Sequence, residues 1–179
     1  MGVALALVLA ACASGTTLTY VGYEITGLLD QFRYAGGGRD FKVAILGNPT
    51  KAPKADFDAA VVAAMQGGNG GPTTHFTTHP GADAREGYRT VLAFSGAPAP
   101  NSRTLCQGRP DIAPVASRLY LIAAFCARDR ALVHLMISLP AVDDPTDTRL
   151  AGAIGLAVKT LYPAIEPGEV RSTGSDFDP

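Results

Sequence analysis

The stretch RLYLIAAFCARDRALVHLMIS, residues 118–138, decides the fold of this chain. Two apolar runs, residues 118–126 and 131–138, flank a short polar turn, a pattern typical of a β-hairpin. On the second run the side chains alternate between two faces, and His134 and Ser138 share one of them. The other face is entirely apolar and carries Val133, Leu135, Ile137 and Leu139.

Before this hairpin the pattern indicates a strand, a helix and further strands. Residues 41–46 are almost continuously apolar, as in an interior strand. Pro53 suits the first position of a helix that the pattern places over residues 53–65. Residues 73–78 are a possible strand, and residues 90–94 are a clearer one. The apolar stripe of the predicted helix has four-residue spacing and consists of Phe57, Val61 and Met65.

After the hairpin, the sequence predicts a second main helix. Asp144 suits its cap, Pro145 its first position, and Pro163 ends it. Gly152 and Gly155 permit close packing, which we expect against the sheet. The apolar stripe comprises Leu150, Ile154, Val158 and Leu161.

These elements predict an α+β fold, a two-layer sandwich. We expect a mostly antiparallel sheet of about four to five strands, with two main helices on one face. The domain organisation predicted is a signal peptide at 1–11, a tether and lead-in at 12–35, one α+β domain at 36–165 and a polar tail at 166–179. In the lead-in, the apolar residues from Tyr20 onward fit either a first strand or a short helix.

The N-terminus predicts export from the cytoplasm. Residues 2–11 are apolar and uncharged, but a membrane-spanning helix requires about 20 such residues. A run of this length at the start of a chain is typical of the h-region of a secretory signal.

Leu9-Ala10-Ala11-Cys12 resembles the lipobox of bacterial lipoprotein precursors. The resemblance implies cleavage before Cys12, diacylglycerol attached to its sulfur, and acylation of the new amino terminus. Residue 13 is Ala and not Asp, which in the family pattern favours the outer membrane, with the protein facing the periplasm. An alternative stays open, since Ala11-Cys12-Ala13 is also an A-x-A site at which signal peptidase I would release a soluble protein. The folded part resembles no characterised family closely; strand 41–46 with the turn after it is only loosely similar to periplasmic lipoproteins of curli secretion and peptidoglycan-synthase activation.

The charge and the cysteine content of the chain limit the classes of function that it can have. The chain has 15 basic and 16 acidic residues and no basic run, which argues against a nucleic-acid partner. Apart from Cys12, the chain contains an even pair, Cys106 and Cys126. In an oxidising compartment this pair would form a disulfide worth about 3 kcal/mol; two buried free thiols are the alternative.

Three side chains have the identity of metal ligands: His75, His79 and Asp83. On an extended strand the two histidines would lie about 13 Å apart, too far to share one ion. We therefore predict no metal and no cofactor, with this trio as a weak candidate site. The sequence carries no catalytic signature and favours a non-catalytic binding or assembly module anchored to the membrane by lipid, with an envelope protein as a possible partner. The alternative is a soluble periplasmic enzyme or small-ligand binder.

Overall fold

The structure, a computed structural model, describes residues 15–98, 102–108 and 111–167. Signal peptide 1–11 and Cys12 lie outside these residues, as does most of the predicted tail. The strands are β1 Thr17–Tyr23, β2 Asp40–Leu46, β3 His75–Thr77, β4 Tyr88–Ser95, β5 Arg118–Ala127 and β6 Arg130–Pro140. The helices are α1 Leu28–Gly36, α2 Lys54–Met65 and α3 Thr148–Leu161, with a 3-10 helix at Ser102–Gln107.

The described residues form an α+β domain around one mixed sheet in the order β1-β6-β5-β4-β2-β3. The pairs β1–β6, β6–β5 and β5–β4 are antiparallel, and the pairs β4–β2 and β2–β3 are parallel. The α+β class is thus confirmed, but the expected four to five strands and two main helices become six strands and three helices. The two edge strands account for the difference, since β1 falls in the predicted lead-in and β3 has only three residues.

The hairpin predicted from residues 118–138 is confirmed as β5 and β6. Its register pairs Leu121 with Ile137 and Ala127 with Arg130. Arg128, in the turn, has a left-handed backbone with φ of 57°, and two-residue hairpin turns require such angles because they match the strand twist.

Both faces of the sheet are buried, one by the three helices and the other by a segment that includes the 3-10 helix. Leu92 and Phe94 of β4 join the main core with the three helices. Val91 and Ala93, which point the other way, join a smaller core with Leu105 of the 3-10 helix. This burial of both faces explains why the central strands are apolar almost without alternation.

Helix α2 follows its predicted stripe, and Phe57, Val61 and Met65 are all buried. Its helical residues begin one position later than predicted, because Pro53 occupies the N-cap. Among helices formed by the described residues, none is both long enough and apolar enough to cross a bilayer.

Helix α3 begins later than predicted. Its N-cap is Asp147, whose carboxylate accepts the N–H of Arg149 at 2.8 Å. Asp144 instead accepts the backbone N–H and the hydroxyl of Thr146, which holds the chain in a turn before the helix. The predicted stripe is confirmed, since Leu150, Ile154, Val158 and Leu161 are buried.

The prediction that Gly152 and Gly155 of α3 pack closely against the sheet is wrong. A Cβ built on Gly152 or Gly155 would meet nothing within 4 Å. Both residues lie on the side of the helix away from the sheet, because the buried stripe already occupies the side towards it.

Residues 17–36, most of the stretch assigned to the tether and lead-in, belong to the folded layers. They contain both alternatives considered for this stretch, the strand β1 and the helix α1. Phe32 of α1 is buried and stacks on Tyr162, with the ring centroids 4.1 Å apart. Among the described residues the first strand therefore begins at Thr17, five positions after Cys12.

Candidate functional site

The predicted disulfide is present on the face opposite the helices. The sulfur atoms of Cys106 and Cys126 lie 1.98 Å apart and the Cα atoms 5.6 Å apart. Arg89 of β4 donates a hydrogen bond to the carbonyl of Cys106. Together these contacts fasten the 3-10 helix to the centre of the sheet, where both cysteines are buried.

Of the three weak metal candidates, the structure brings two, His75 and Asp83, into contact with Asp40, a residue that the sequence did not single out. Nδ1 of His75 lies 2.7 Å from Oδ1 of Asp40, its register partner on β2. The carboxylate of Asp83 accepts the backbone N–H of Asp40 at 3.4 Å. His79 lies beyond the end of β3 and bonds the hydroxyl of Thr78.

No set of three or more His, Cys, Asp or Glu side chains in the described ranges is arranged to hold a metal ion. His75 directs Nδ1 at Asp40 and not towards His79. What these residues form is an Asp–His pair at the β2–β3 edge of the sheet.

Asp40 is held in its ionised form. The backbone N–H of Gly81, at 2.8 Å, and then the His75 ring lower the pKa of Asp40 below its usual value. The interactions that favour the charged carboxylate therefore stabilise the fold above the usual aspartate pKa and are lost as the pH falls below it. An ionised carboxylate only accepts hydrogen bonds, so Nδ1 of His75 donates to Asp40 and Nε2 takes no part in this bond. The His75 side chain is 66% exposed.

Beside this pair, Lys42, Pro80–Ala82 and Ala84–Tyr88 border a cleft of about 500 Å³. Its charged lining residues are Lys42, Arg85 and Glu86, and no histidine lines it. The Asp–His pair and this cleft are thus separate features, because His75 does not line the cleft.

The opposite edge of the sheet is formed by β1. Its sequence, TLTYVGY, contains no charged residue and no proline. In the part of the chain that the structure describes, no strand pairs with its outer side. Leu18, Tyr20 and Tyr23 are 37%, 45% and 47% exposed. We call this strand with its exposed side chains the β1 edge.

Under the β1 edge lies a buried histidine. His134 is only 2% exposed, and its Nε2 lies 2.9 Å from Oε1 of Glu24. The ring of Tyr20 covers it, with the centroids 5.3 Å apart. A Cβ on Gly22 would come within 2.6 Å of Nε2 of His134, so this position requires glycine. These contacts fix the end of β1 on β6.

Neither the Asp40–His75 pair nor the β1 edge was predicted from the sequence. The strand composition of TLTYVGY, rich in Thr, Val and Tyr, was available as a signal. For Asp40 there was none, because its partner His75 lies 35 positions later and only the parallel register brings them together.

These features define the class of fold: an α+β domain with a six-stranded mixed sheet, helices on one face and a disulfide-fastened segment on the other. Compared with known proteins, the chain matches no family model, and no curated protein or solved structure is significantly similar to it.

Proposed function

We propose that this is a lipid-anchored cell-envelope protein, facing the periplasm from the outer membrane, whose domain binds another envelope protein. Acylated Cys12 supplies the anchor, as the lipobox resemblance implies, and the β1 edge supplies the binding surface. The partner contributes an extended, uncharged segment.

The observation that carries the binding role is the uncharged β1 edge. Native proteins usually protect an exposed strand edge with lysine, proline or a covering loop, because its unpaired N–H and C=O groups bind other strands. β1 has a register irregularity between Leu18 and Tyr20 but neither charge nor proline. Addition of a strand to such an edge is a recurrent mode of peptide recognition. Tyrosine is also enriched at protein interfaces.

The disulfide supports export. Bonds of this kind form and persist in the periplasm and are rare in the reducing cytosol. Both sulfur atoms are buried in the smaller core, where the bond fixes the structure of a covering segment.

Site-specific photocrosslinking in the native host tests the binding role. A photoreactive residue at Tyr23 is expected to give a discrete crosslinked species, whereas one at Ala55, exposed on α2, is not. Adding Leu18→Lys should abolish the Tyr23 crosslink, because an edge lysine opposes strand pairing. Tyr34→Lys, a matched change at a tyrosine 54% exposed on α1, should leave it intact.

Equal crosslinking from Tyr23 and Ala55 would contradict a specific edge. Persistence of the Tyr23 crosslink in the Leu18→Lys protein would contradict strand addition. Thermal unfolding of each lysine variant checks that the fold is retained.

The alternative, a soluble periplasmic enzyme or small-ligand binder, is favoured by one observation. Asp40 orients His75 so that Nε2 is available to accept a proton. A His75→Gln protein with unchanged cellular phenotype and unchanged ligand binding would remove this support.

A further inference from the structure

The distance from the anchor to the fold is very short. Only Ala13 and Ser14 separate Cys12 from Gly15, the first residue that the structure describes. Three Cα–Cα steps of 3.8 Å place the two Cα atoms no more than about 11 Å apart, whatever the conformation between them.

Gly15 lies at a defined end of the sheet. A Cβ built on it would meet Cγ of Pro140, the last residue of β6, at 3.1 Å. Arg118 opposes Pro140 in the register. At the same end the N–H of Lys51 donates to the carbonyl of Asp143 at 3.2 Å. We call the surface formed by these five residues the anchor end.

The opposite end of the sheet is far from the anchor. The β5–β6 turn residue Asp129 lies nine positions before Ser138, the partner of Thr17. At about 3.3 Å per strand residue this separation is roughly 30 Å. A tether of about 11 Å therefore keeps the anchor end at the membrane surface, whereas the turn lies roughly 30 Å further along the sheet.

We propose that the anchor end rests on the phospholipid surface, with the β5–β6 turn pointing away from the membrane. This inference rests on the proposed acylation of Cys12. It assigns a lipid-facing surface to residues far from the lipid in sequence, Lys51 and Arg118 among them. The guanidinium of Arg118 meets the phosphate groups of the bilayer. The side chain of Lys51 is 84% exposed, and its Nζ lies 3.7 Å from Oδ2 of Asp143, so at this surface lipid phosphate competes with a carboxylate for Lys51. The β1 edge then runs away from the bilayer, open to a neighbouring envelope protein.

Fluorescence quenching by headgroup-nitroxide lipids tests this orientation. The acylated protein is incorporated into phosphatidylethanolamine and phosphatidylglycerol vesicles with a fluorophore on Lys51→Cys or, as the control, on Glu86→Cys. Glu86 is exposed and lines the same cleft as Asp129. The fluorophore at position 51 is expected to lose most of its emission, and the one at position 86 to keep it.

A third protein carries about 20 Gly and Ser residues between Ser14 and Gly15. Such a flexible linker spans roughly 25 Å. The quenching at position 51 should largely disappear while the protein still floats with the vesicles.

The outcomes separate the two proposals. Flotation with equal quenching at both positions, or with stronger quenching at position 86, would overturn the orientation and leave the anchor intact. A native-host protein that does not float with vesicles would show that Cys12 is not acylated, which would overturn the proposed anchor and this inference with it.

Discussion

At the scale of single residues, Tyr162 organises the main core. Its ring contacts those of Phe32, Phe41, Phe76 and Phe125, with centroid separations between 4.1 and 5.9 Å. Its hydroxyl and that of Thr90 form a hydrogen bond of 2.5 Å, and both residues are fully buried. Burial raises the pKa of Tyr162 well above its usual value of about 10.

Tyr162→Phe is predicted to lower the free energy of unfolding by about 1–3 kcal/mol, because the Thr90 hydroxyl loses its partner. Chemical denaturation measures this. The double variant Tyr162→Phe, Thr90→Val should recover part of the loss, since it leaves no buried hydroxyl unpaired. A double variant less stable than the sum of the two single changes would contradict the pairing.

The same tyrosine predicts an alkaline limit to stability. The unfolded chain ionises Tyr162 above about pH 10, but the folded protein holds it neutral. The contribution is therefore fully present below pH 10 and is lost as the pH rises towards the raised pKa. The Tyr162→Phe protein should show a weaker decline in stability above pH 10 than the native sequence. If the stability of the two proteins declined equally above pH 10, the loss at alkaline pH would come from other groups.

At the scale of elements, helix α1 depends on a residue that the sequence pattern does not identify. The N-cap of α1 is Gly27, which has no side-chain cap. Glu166, which lies 138 and 137 positions away, accepts the N–H groups of Leu28 at 2.8 Å and Leu29 at 3.0 Å. A carboxylate at the N-terminus of a helix also interacts favourably with the positive end of the helix dipole. The start of α1 is thus fastened to the residues after α3.

Glu166→Ala is predicted to cost about 1 kcal/mol, the usual effect of removing an N-cap acceptor. Denaturant unfolding gives the value, and hydrogen exchange should show faster opening in α1 than in α3. Asp30→Ala is the control, because its ion pair with Arg33 is exposed on both sides, and pairs of this kind are worth only about 0.3–0.5 kcal/mol. Equal protection of α1 in Glu166→Ala and the native protein would contradict the cap.

For α3, Gly152→Ala and Gly155→Ala are each predicted to stabilise the protein by about 0.5–1 kcal/mol. Alanine has the higher helix propensity, and the added Cβ meets nothing within 4 Å at either position. The midpoint of thermal unfolding should rise in both variants. Gly96→Ala provides the contrast, since its Cβ would lie 1.9 Å from the carbonyl oxygen of Pro114. A fall in the midpoint for Gly152→Ala would show that this face of α3 is packed.

Hydrophobic periodicity predicted the elements whose structure depends mainly on their own residues. The β5–β6 hairpin and the stripes of α2 and α3 follow from local patterns of burial, which the sequence displays directly. Contacts between distant segments were not predictable: the Glu166 cap on α1 and the Asp40–His75 pair depend on topology. The strand β3 was predicted only as a possible strand, because three residues are too few to show an alternating pattern.

At the scale of the whole molecule, the two faces of the sheet are covered differently, and β1 and β3 are its edge strands among the described residues. Helices cover one face, and the disulfide-fastened segment covers the other. β1 is left with an open outer side among the described residues, and it begins next to the predicted anchor. The proposed function uses both features: lipid holds one end of the domain, and a protein partner extends the sheet at β1.

The measurement that tests this account most directly is the intact mass of the mature protein from its native host, compared with that of a Cys12→Ala variant. The account predicts a chain that begins at Cys12 and carries the mass of attached acyl groups, which the variant lacks. An unmodified chain beginning at Ser14 would contradict it, because signal peptidase I would then have released a soluble periplasmic protein.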